Sequence, residues 1–146
     1  MPSSMKAQDK QIKVAIYIRL ANYDVDTASR EEKALRDYAE EHGYRNVLAY
    51  VDNGVNGIGL NRPALNRLNE DISVGEINTV VARDTSRISR SYFEMVNWLE
   101  SITHKGVSFI SVRDGYANDP EHGEGIGFLH DFSVLITRKR RPLRKQ

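Results

Sequence analysis

The chain has 146 residues, a formal net charge of +1 and no cysteine. Its length suits one ordinary domain, and the absence of cysteine excludes a disulfide scaffold, a zinc–thiolate site and a cysteine nucleophile. No apolar run approaches the roughly 20 residues that cross a bilayer. The first residues lack the apolar core of a signal peptide, so we expect a cytoplasmic protein without a membrane partner.

The small net charge conceals an uneven distribution. Residues 138–146 contain six basic residues and no acidic one, whereas residues 1–137 contain 15 basic and 20 acidic residues. The body of the chain therefore carries −5 and the tail +6. A terminal basic run is typical of a nucleic-acid-binding arm, although a solvated tail has the same composition. The candidate DNA-binding residues of this tail are Arg138, Lys139, Arg140 and Arg141.

Short apolar segments alternate with amphipathic segments along the rest of the chain. Strands are predicted over residues 12–20, 47–51, 77–82 and 107–112. Helices are predicted from a Thr27 or Ser29 cap to about 42, from 63 to 75, over 92–104, and from about 128 onward. This order predicts an α/β fold, in which a four- to five-stranded, mainly parallel sheet is flanked by helices on both faces.

The spacing of apolar residues predicts which helix faces are buried. The expected stripes are Ala34, Leu35, Tyr38 and Ala39 in the first helix and Leu65, Leu68 and Ile72 in the second. In the third helix the stripe is Phe93, Val96, Leu99 and Ile102 or Thr103, with Met95 and Trp98 beside it, in the core or at a subunit interface. The glycine-rich segment 52–61 is predicted as a mobile loop.

Ligands of parallel α/β sheets bind at the carboxyl ends of the strands. At the end of the first strand, Tyr17, Arg19 and Ala21 share one face, because side chains alternate along a strand. Arg19 is unusual in an apolar strand. It requires either an ion pair, with Asp24 or Asp52, or a ligand.

More arginines follow at the same predicted edge of the sheet. Arg83, Arg87 and Arg90 have the i, i+4, i+7 spacing of a helical stripe, and such a stripe of like charges needs an anion. A solvated face with Asp84 as partner is the alternative. Arg62 precedes a predicted helix N-terminus, which favours anions. Because the chain has neither GxGxxG after the first strand nor GxxxxGK[S/T], the arginines indicate a phosphodiester or phosphoryl group rather than a nucleotide cofactor.

Four motifs in this order resemble the catalytic domain of the serine recombinases, the group of resolvases, invertases and large serine integrases. The family pattern Tyr-x-Arg-x-Ser is similar to residues 17–21, and Asp-x-Gly-x-Ser-Gly is similar to residues 52–57. Arg-Pro-x-Leu matches residues 62–65, Asp-x-x-Arg-x-x-Arg matches residues 84–90, and the strand Gly-Val-x-Phe-Ile-Ser-Val matches residues 106–112. The resemblance runs from about residue 13 to about residue 135.

The resemblance implies site-specific DNA cleavage and strand exchange without a metal or another cofactor. A serine hydroxyl attacks a DNA phosphodiester and forms a phosphoserine link, while arginines stabilise the pentacovalent phosphate. By position, Arg19, Arg62, Arg87 and Arg90 match these arginines, and Tyr17, Asp52, Asp84 and Ser86 would support them. The resemblance also implies DNA as a partner, a place in DNA integration or a mobile element, and a homo-oligomer, either a dimer or a tetramer.

The chain departs from the family pattern at the residues that matter most. Ala21 occupies the nucleophile position, and a methyl group cannot attack phosphorus. Glu31 stands where the family usually has Gln, Asn56 replaces the loop serine, and Ser86 stands where many members have Asp. A substitute hydroxyl from Ser86 or Ser89 would need in-line geometry at the phosphate. Several departures around one site favour natural loss over one engineered change.

The resemblance implies three parts: a disordered lead-in over residues 1–11, a resolvase-like catalytic domain over 12–137, and a basic tail over 138–146 that could begin a longer helix. Three functions remain open. The first is a serine-recombinase domain that is inactive as written, because of Ala21. The second is a non-catalytic DNA-binding or regulatory module that partners an active recombinase. The third is a small-anion- or nucleotide-binding α/β protein.

Overall fold

The computed structural model describes residues 12–118 and residue 120. Its strands are β1 (Lys13–Leu20), β2 (Asn46–Asn53), β3 (Thr79–Ala82), β4 (Ser108–Ser111) and β5 (Tyr116–Ala117). They form one sheet in the order β2-β1-β3-β4-β5, in which only the β4–β5 pairing is antiparallel among the described strands. The predicted mainly parallel sheet is confirmed. The lead-in, the helix predicted from residue 128 and the basic tail lie outside the described residues.

Helices cover both faces of this sheet, as predicted. They are α1 (Val25–Glu41), α2 (Pro63–Ser73) and α3 (Tyr92–His104). Tyr17 of β1 belongs to a buried cluster that contains residues of α2 and α3, whereas its neighbours Ile16 and Ile18 pack in a second cluster with Leu35 of α1. The strand thus divides the core into two layers. No helix within the described residues is both long and apolar enough to cross a membrane.

The start of α1 differs from the prediction. Asp24, rather than Thr27 or Ser29, caps the helix, because its carboxylate accepts hydrogen bonds from the Thr27 N–H at 3.1 Å and the Thr27 hydroxyl at 2.9 Å. These bonds lower the pKa of Asp24. The buried face is also shifted, since Ala34 is exposed and Glu31 is buried together with Leu35.

The bounds of α3 match the prediction, and Leu99, Ile102 and Thr103 are buried as expected, but Phe93 is not. Phe93 is 71% exposed, whereas Met95 and Trp98 are in the core. The indole N–H of Trp98 donates to Asn69 at 2.9 Å, and its ring packs edge-on against Phe109 with centroids 5.5 Å apart. The indole N–H of Trp98 therefore has a hydrogen-bond partner while its ring fills the core between α2 and β4. The exposed ring of Phe93 does not reach this part of the core.

Leu99 and Phe93 provide a direct test of this orientation of α3. Leu99→Ala removes a fully buried side chain and should lower the free energy of unfolding by about 2–5 kcal/mol. Phe93→Ala removes an exposed ring and should change the free energy of unfolding by about 0.5 kcal/mol or less. Urea denaturation of both variants measures the difference. Equal losses would contradict the orientation of the helix.

Candidate functional site

The structure brings most of the predicted site residues together at the carboxyl edge of the sheet. Tyr17 and Arg19 come from β1 and Asp52 comes from β2, which extends past the predicted strand end at residue 51. Arg62 precedes α2, and Arg87 ends a short 3₁₀ turn over Thr85–Arg87. Tyr17 forms hydrogen bonds with Asp52 and Arg62, and both Arg19 and Arg62 donate to the backbone carbonyl of Arg87.

Arg19 is 1% exposed, and its guanidinium donates only to backbone carbonyls. Nε donates to Arg87 at 3.1 Å, Nη1 to Val55 at 3.0 Å and Nη2 to Ser86 at 2.8 Å. Of the two alternatives offered by the sequence, the ion pair with Asp24 or Asp52 is therefore wrong, and backbone carbonyls take its place. Burial and, after it, the positive charge of Arg62 lower the pKa of Arg19. The guanidinium is a buried cation that is held by dipoles rather than by a carboxylate.

The loop between β2 and α2 is fixed by these arginines. A Cβ atom on Gly57 would lie 2.9 Å from Nη2 of Arg19, so the guanidinium requires glycine there. Arg62, also 1% exposed, donates to the carbonyls of Gly59 at 3.1 Å and Arg87 at 3.0 Å. The segment predicted as a mobile loop is thus tied to the sheet edge through its carbonyl groups.

Tyr17 and Asp52 connect the arginines to α2. The Tyr17 hydroxyl donates to Asp52 at 2.6 Å and accepts from Arg62 at 3.2 Å. Asp52 also accepts from the N–H groups of Ala64 at 2.8 Å and Leu65 at 3.0 Å, so its carboxylate satisfies the N-terminus of α2. Burial and, after it, the hydrogen bond to Asp52 raise the pKa of Tyr17 far above its ordinary value.

Arg87 has a carboxylate partner that the sequence did not reveal. Its Nε and Nη2 donate to the two oxygens of Glu31, both at 2.9 Å, in a bidentate pair. Glu31 is 7% exposed, and its hydrogen bonds raise the pKa of Arg87. One signal was present in the sequence, because Glu31 shares the helical spacing of Ala28 and Leu35 and so falls on the buried face of α1.

The predicted helical stripe of Arg83, Arg87 and Arg90 does not form. Asp84 caps the 3₁₀ turn by accepting from the Ser86 N–H at 3.0 Å and from the Ser86 hydroxyl, so Arg83 lies before the turn and is exposed. Arg90 lies after the turn and is also exposed. It is nevertheless close enough to Arg19 to contribute to the lowered pKa of that residue. Arg90 therefore adds positive charge at the surface of the site.

Ala21 directly follows β1 and is exposed. The nearby hydroxyl groups are engaged, since Ser86 donates to Asp84, and Ser89 is buried and donates to Glu94 at 2.7 Å. Within the described part of the chain, no group of three or more His, Asp or Glu side chains could hold a metal ion. The end of β1 thus carries a buried guanidinium at Arg19 and, two residues further on, an exposed methyl group.

A family model described as "Resolvase, N terminal domain" matches residues 14–144. The chain belongs to the resolvase family. A relative from Bacillus subtilis (strain 168), named "Putative DNA recombinase", is 34% identical over 109 residues, which are 74% of this chain and 22% of the relative. The chain thus spans about a fifth of that relative's length. The serine recombinase resemblance of the motifs is confirmed.

Solved structures of the resolvase family agree with this fold. The N-terminal catalytic domain of TP901-1 integrase is 29% identical, with a TM-score of 0.72 over 89% of this chain and 98% of that domain. A resolvase family site-specific recombinase from Streptococcus pneumoniae is 23% identical, with a TM-score of 0.68 over 92% of this chain and 91% of that structure. The second similarity supports the resolvase fold alone.

The role of Asp52 can be tested against a matched carboxylate. Asp71 also accepts a tyrosine hydroxyl at 2.6 Å, from Tyr50, but it is half-buried and caps no helix. Asp52→Asn should lower the free energy of unfolding by about 2–4 kcal/mol, because it removes a buried charge that three donors contact. Asp71→Asn should lower the free energy of unfolding by about 1 kcal/mol or less. Chemical denaturation compares the two variants, and an equal cost would refute the capping role.

Proposed function

We propose that this chain is the catalytic-domain part of a serine recombinase and that it does not cleave DNA as written. The observation that carries the proposal is the alanine at position 21, exposed at the end of β1 and two residues beyond the buried guanidinium of Arg19. In the recombinase reaction a serine oxygen at this position would attack phosphorus and form the covalent link, while one ester P–O bond of the DNA breaks and its deoxyribose oxygen leaves as a hydroxyl group. A methyl group has no lone pair with which to attack.

The remaining site residues fit the stabilisation of a phosphodiester. Arg19, Arg62, Arg87 and Arg90 supply positive charge around the end of β1, and the first two are held by several hydrogen bonds each. Guanidiniums that are fixed before the substrate arrives lower the cost of reorganisation in the transition state. Phosphoryl transfer can rely on such positioning and charge stabilisation without a metal. Tyr17, Asp52, Asp84 and Ser86 act as supports for these arginines or for the turn.

The proposed partner is DNA. The relatives are named as a DNA recombinase, an integrase and a site-specific recombinase, which supports a site-specific DNA substrate for this domain. Assembly into a dimer or tetramer and a cytoplasmic location follow from the same family assignment and are proposals for this chain.

A second candidate function is a non-catalytic module that binds DNA or regulates an active recombinase. One observation favours it: the Arg87 guanidinium, which would contact the phosphate, is neutralised by Glu31. A site that lacks a hydroxyl and has one of its arginines paired is better suited to binding than to cleavage. The third candidate, a protein for small anions, would show binding of phosphate but no response to DNA.

Ala21→Ser tests whether the missing hydroxyl alone prevents cleavage. We expect this variant to form a covalent protein–DNA product with a suicide substrate at low salt, whereas the unaltered chain and Ala21→Gly should form none. Denaturing gel electrophoresis detects the product. A second substitution, Arg19→Lys, added to Ala21→Ser should reduce the yield of covalent product at least about tenfold. The reason is that a lysine ammonium cannot reproduce the three hydrogen bonds that the Arg19 guanidinium donates to backbone carbonyls. Failure of Ala21→Ser to react would refute an otherwise competent site.

Deletion of residues 138–146 tests the basic tail. If its six basic residues contact phosphates, the slope of log Kobs against log salt should fall in magnitude by up to about 5 units on deletion. Deletion of residues 1–11 is the control, because that segment carries only two lysines and one aspartate and should change the slope by about 1 unit or less. Fluorescence anisotropy with labelled duplex DNA measures both slopes. Equal slopes with and without the tail would remove it from the binding surface.

A further inference from the structure

A cleft separates α1 from the residues that follow β3 and β4. Its volume is about 540 Å³, which is within the roughly 300–1,000 Å³ of ordinary ligand sites. It lies at the carboxyl edge of the sheet, beyond the ends of the neighbouring strands β3 and β4. The lining residues are Thr27, Arg30, Glu31, Ala34, Leu35, Arg83, Val112 and Arg113.

Three guanidiniums line this cleft in a domain whose body is acidic overall. Arg30 donates to the Thr27 hydroxyl at 3.2 Å, and Arg113 lies 3.8 Å from Asp84. Arg83 is exposed and forms no side-chain hydrogen bond or ion pair with the described residues. The cleft therefore holds cationic groups with donors to spare, and their shared ligand chemistry is that of a phosphate.

Among the described residues that line the cleft, Glu31 is the only acidic one, and both of its carboxylate oxygens accept from Arg87. Its two oxygens receive two parallel N–H bonds at 2.9 Å, which is the geometry in which a guanidinium also binds two phosphate oxygens. Glu31 thus occupies Arg87 as a phosphate would. The backbone carbonyl of Arg87 also accepts hydrogen bonds from Arg19 and Arg62. Arg87 therefore connects Glu31, in the lining of the cleft, to the buried arginines of the recombinase site.

We propose that this cleft binds a phosphate of DNA and that Glu31 is an internal anion that competes with that phosphate for Arg87. The proposal rests on the proposed function for its DNA partner and adds a second contact surface and a residue that sets its affinity. A phosphate in the cleft meets the guanidiniums of Arg30, Arg83 and Arg113.

Glu31→Gln tests the competition, and the chain offers a matched control in the next residue. Glu32 also binds an arginine, Arg36 at 3.0 Å, but on the exposed face of α1. Both variants change the net charge equally. We expect Glu31→Gln to tighten binding of labelled duplex DNA at low salt about tenfold, a change of about 1.4 kcal/mol, and Glu32→Gln to change it less than about twofold. Equal effects of the two variants would overturn the proposal.

A second pair of variants tests the cleft with the Glu31–Arg87 contact intact, and so does not depend on how Glu31→Gln folds. Arg83→Ala should weaken DNA binding by about three- to tenfold, since it removes one phosphate contact of the cleft. Arg45→Ala is the control, because Arg45 is exposed and directly precedes β2 at the opposite edge of the sheet. Fluorescence anisotropy measures both, and equal losses would overturn the assignment of the cleft.

The same assay shows whether the bound phosphate belongs to DNA or to a free nucleotide. It also separates failure of the cleft proposal from failure of the proposed function. A nucleoside monophosphate that binds Glu31→Gln, while duplex DNA does not, would overturn the assignment to DNA. In the Ala21→Ser background, Glu31→Gln should increase covalent product relative to Glu32→Gln. Covalent product from Ala21→Ser, with no effect of Glu31→Gln on either affinity or yield, would leave the proposed function intact and refute the cleft.

Discussion

The carbonyl group of Arg87 accepts hydrogen bonds from two buried guanidiniums, and the carboxyl edge of the sheet depends on this contact. Arg19 reaches it from β1 at 3.1 Å, and Arg62 reaches it from the start of α2 at 3.0 Å. Two buried like charges this close repel each other, and this repulsion adds to burial, the main cause, in lowering the pKa of Arg19. They are tolerated because carbonyl dipoles surround them and because Asp52 and Glu31 place negative charge at the periphery.

This constraint explains why segments distant in the sequence have fixed shapes. The carbonyls of Val55 and Gly59 point inward because each accepts from one of the two guanidiniums. Ser86 is held in the same way, by Nη2 of Arg19 at 2.8 Å. Both loops thereby satisfy carbonyl groups that the sheet does not pair. Loss of either arginine would leave several acceptors without donors and a cavity where a large side chain had been.

The parts of the fold that the sequence predicts well are those set by local chemistry. Pro63 begins α2 because its fixed φ and missing N–H suit the first helical turn, and the apolar spacing of Leu65 and Leu68 specifies the buried face. The orientation of α3 was less predictable, since both Phe93 and Met95 fit a helical stripe and only the position of Phe109 in β4 decides between them. Tertiary packing settled what periodicity left ambiguous.

The site was predictable as a location but not as a set of contacts. Parallel strands bring their carboxyl ends to one edge, so Arg19, Asp52 and Arg87 could be expected there. Backbone carbonyls have no sequence signature, and for that reason the sequence offers only a carboxylate or a ligand as partners of Arg19 and not the carbonyls that bind it. Glu31 was overlooked as a partner of Arg87 because a glutamate in an amphipathic helix ordinarily faces solvent.

The presence of buried arginines does not by itself indicate that the domain cleaves DNA. Arg19 and Arg62 hold the loops of the sheet edge, so their removal would cost stability whether or not a phosphate ever binds. Arg90 differs, because it is exposed and its side chain forms no hydrogen bond or ion pair with the described residues. An exposed arginine needs no partner in the protein, because water satisfies its guanidinium, so removal of the Arg90 side chain should cost little stability. A contribution of Arg90 to phosphate binding can therefore be separated from stability by mutation, whereas a contribution of Arg19 or Arg62 cannot.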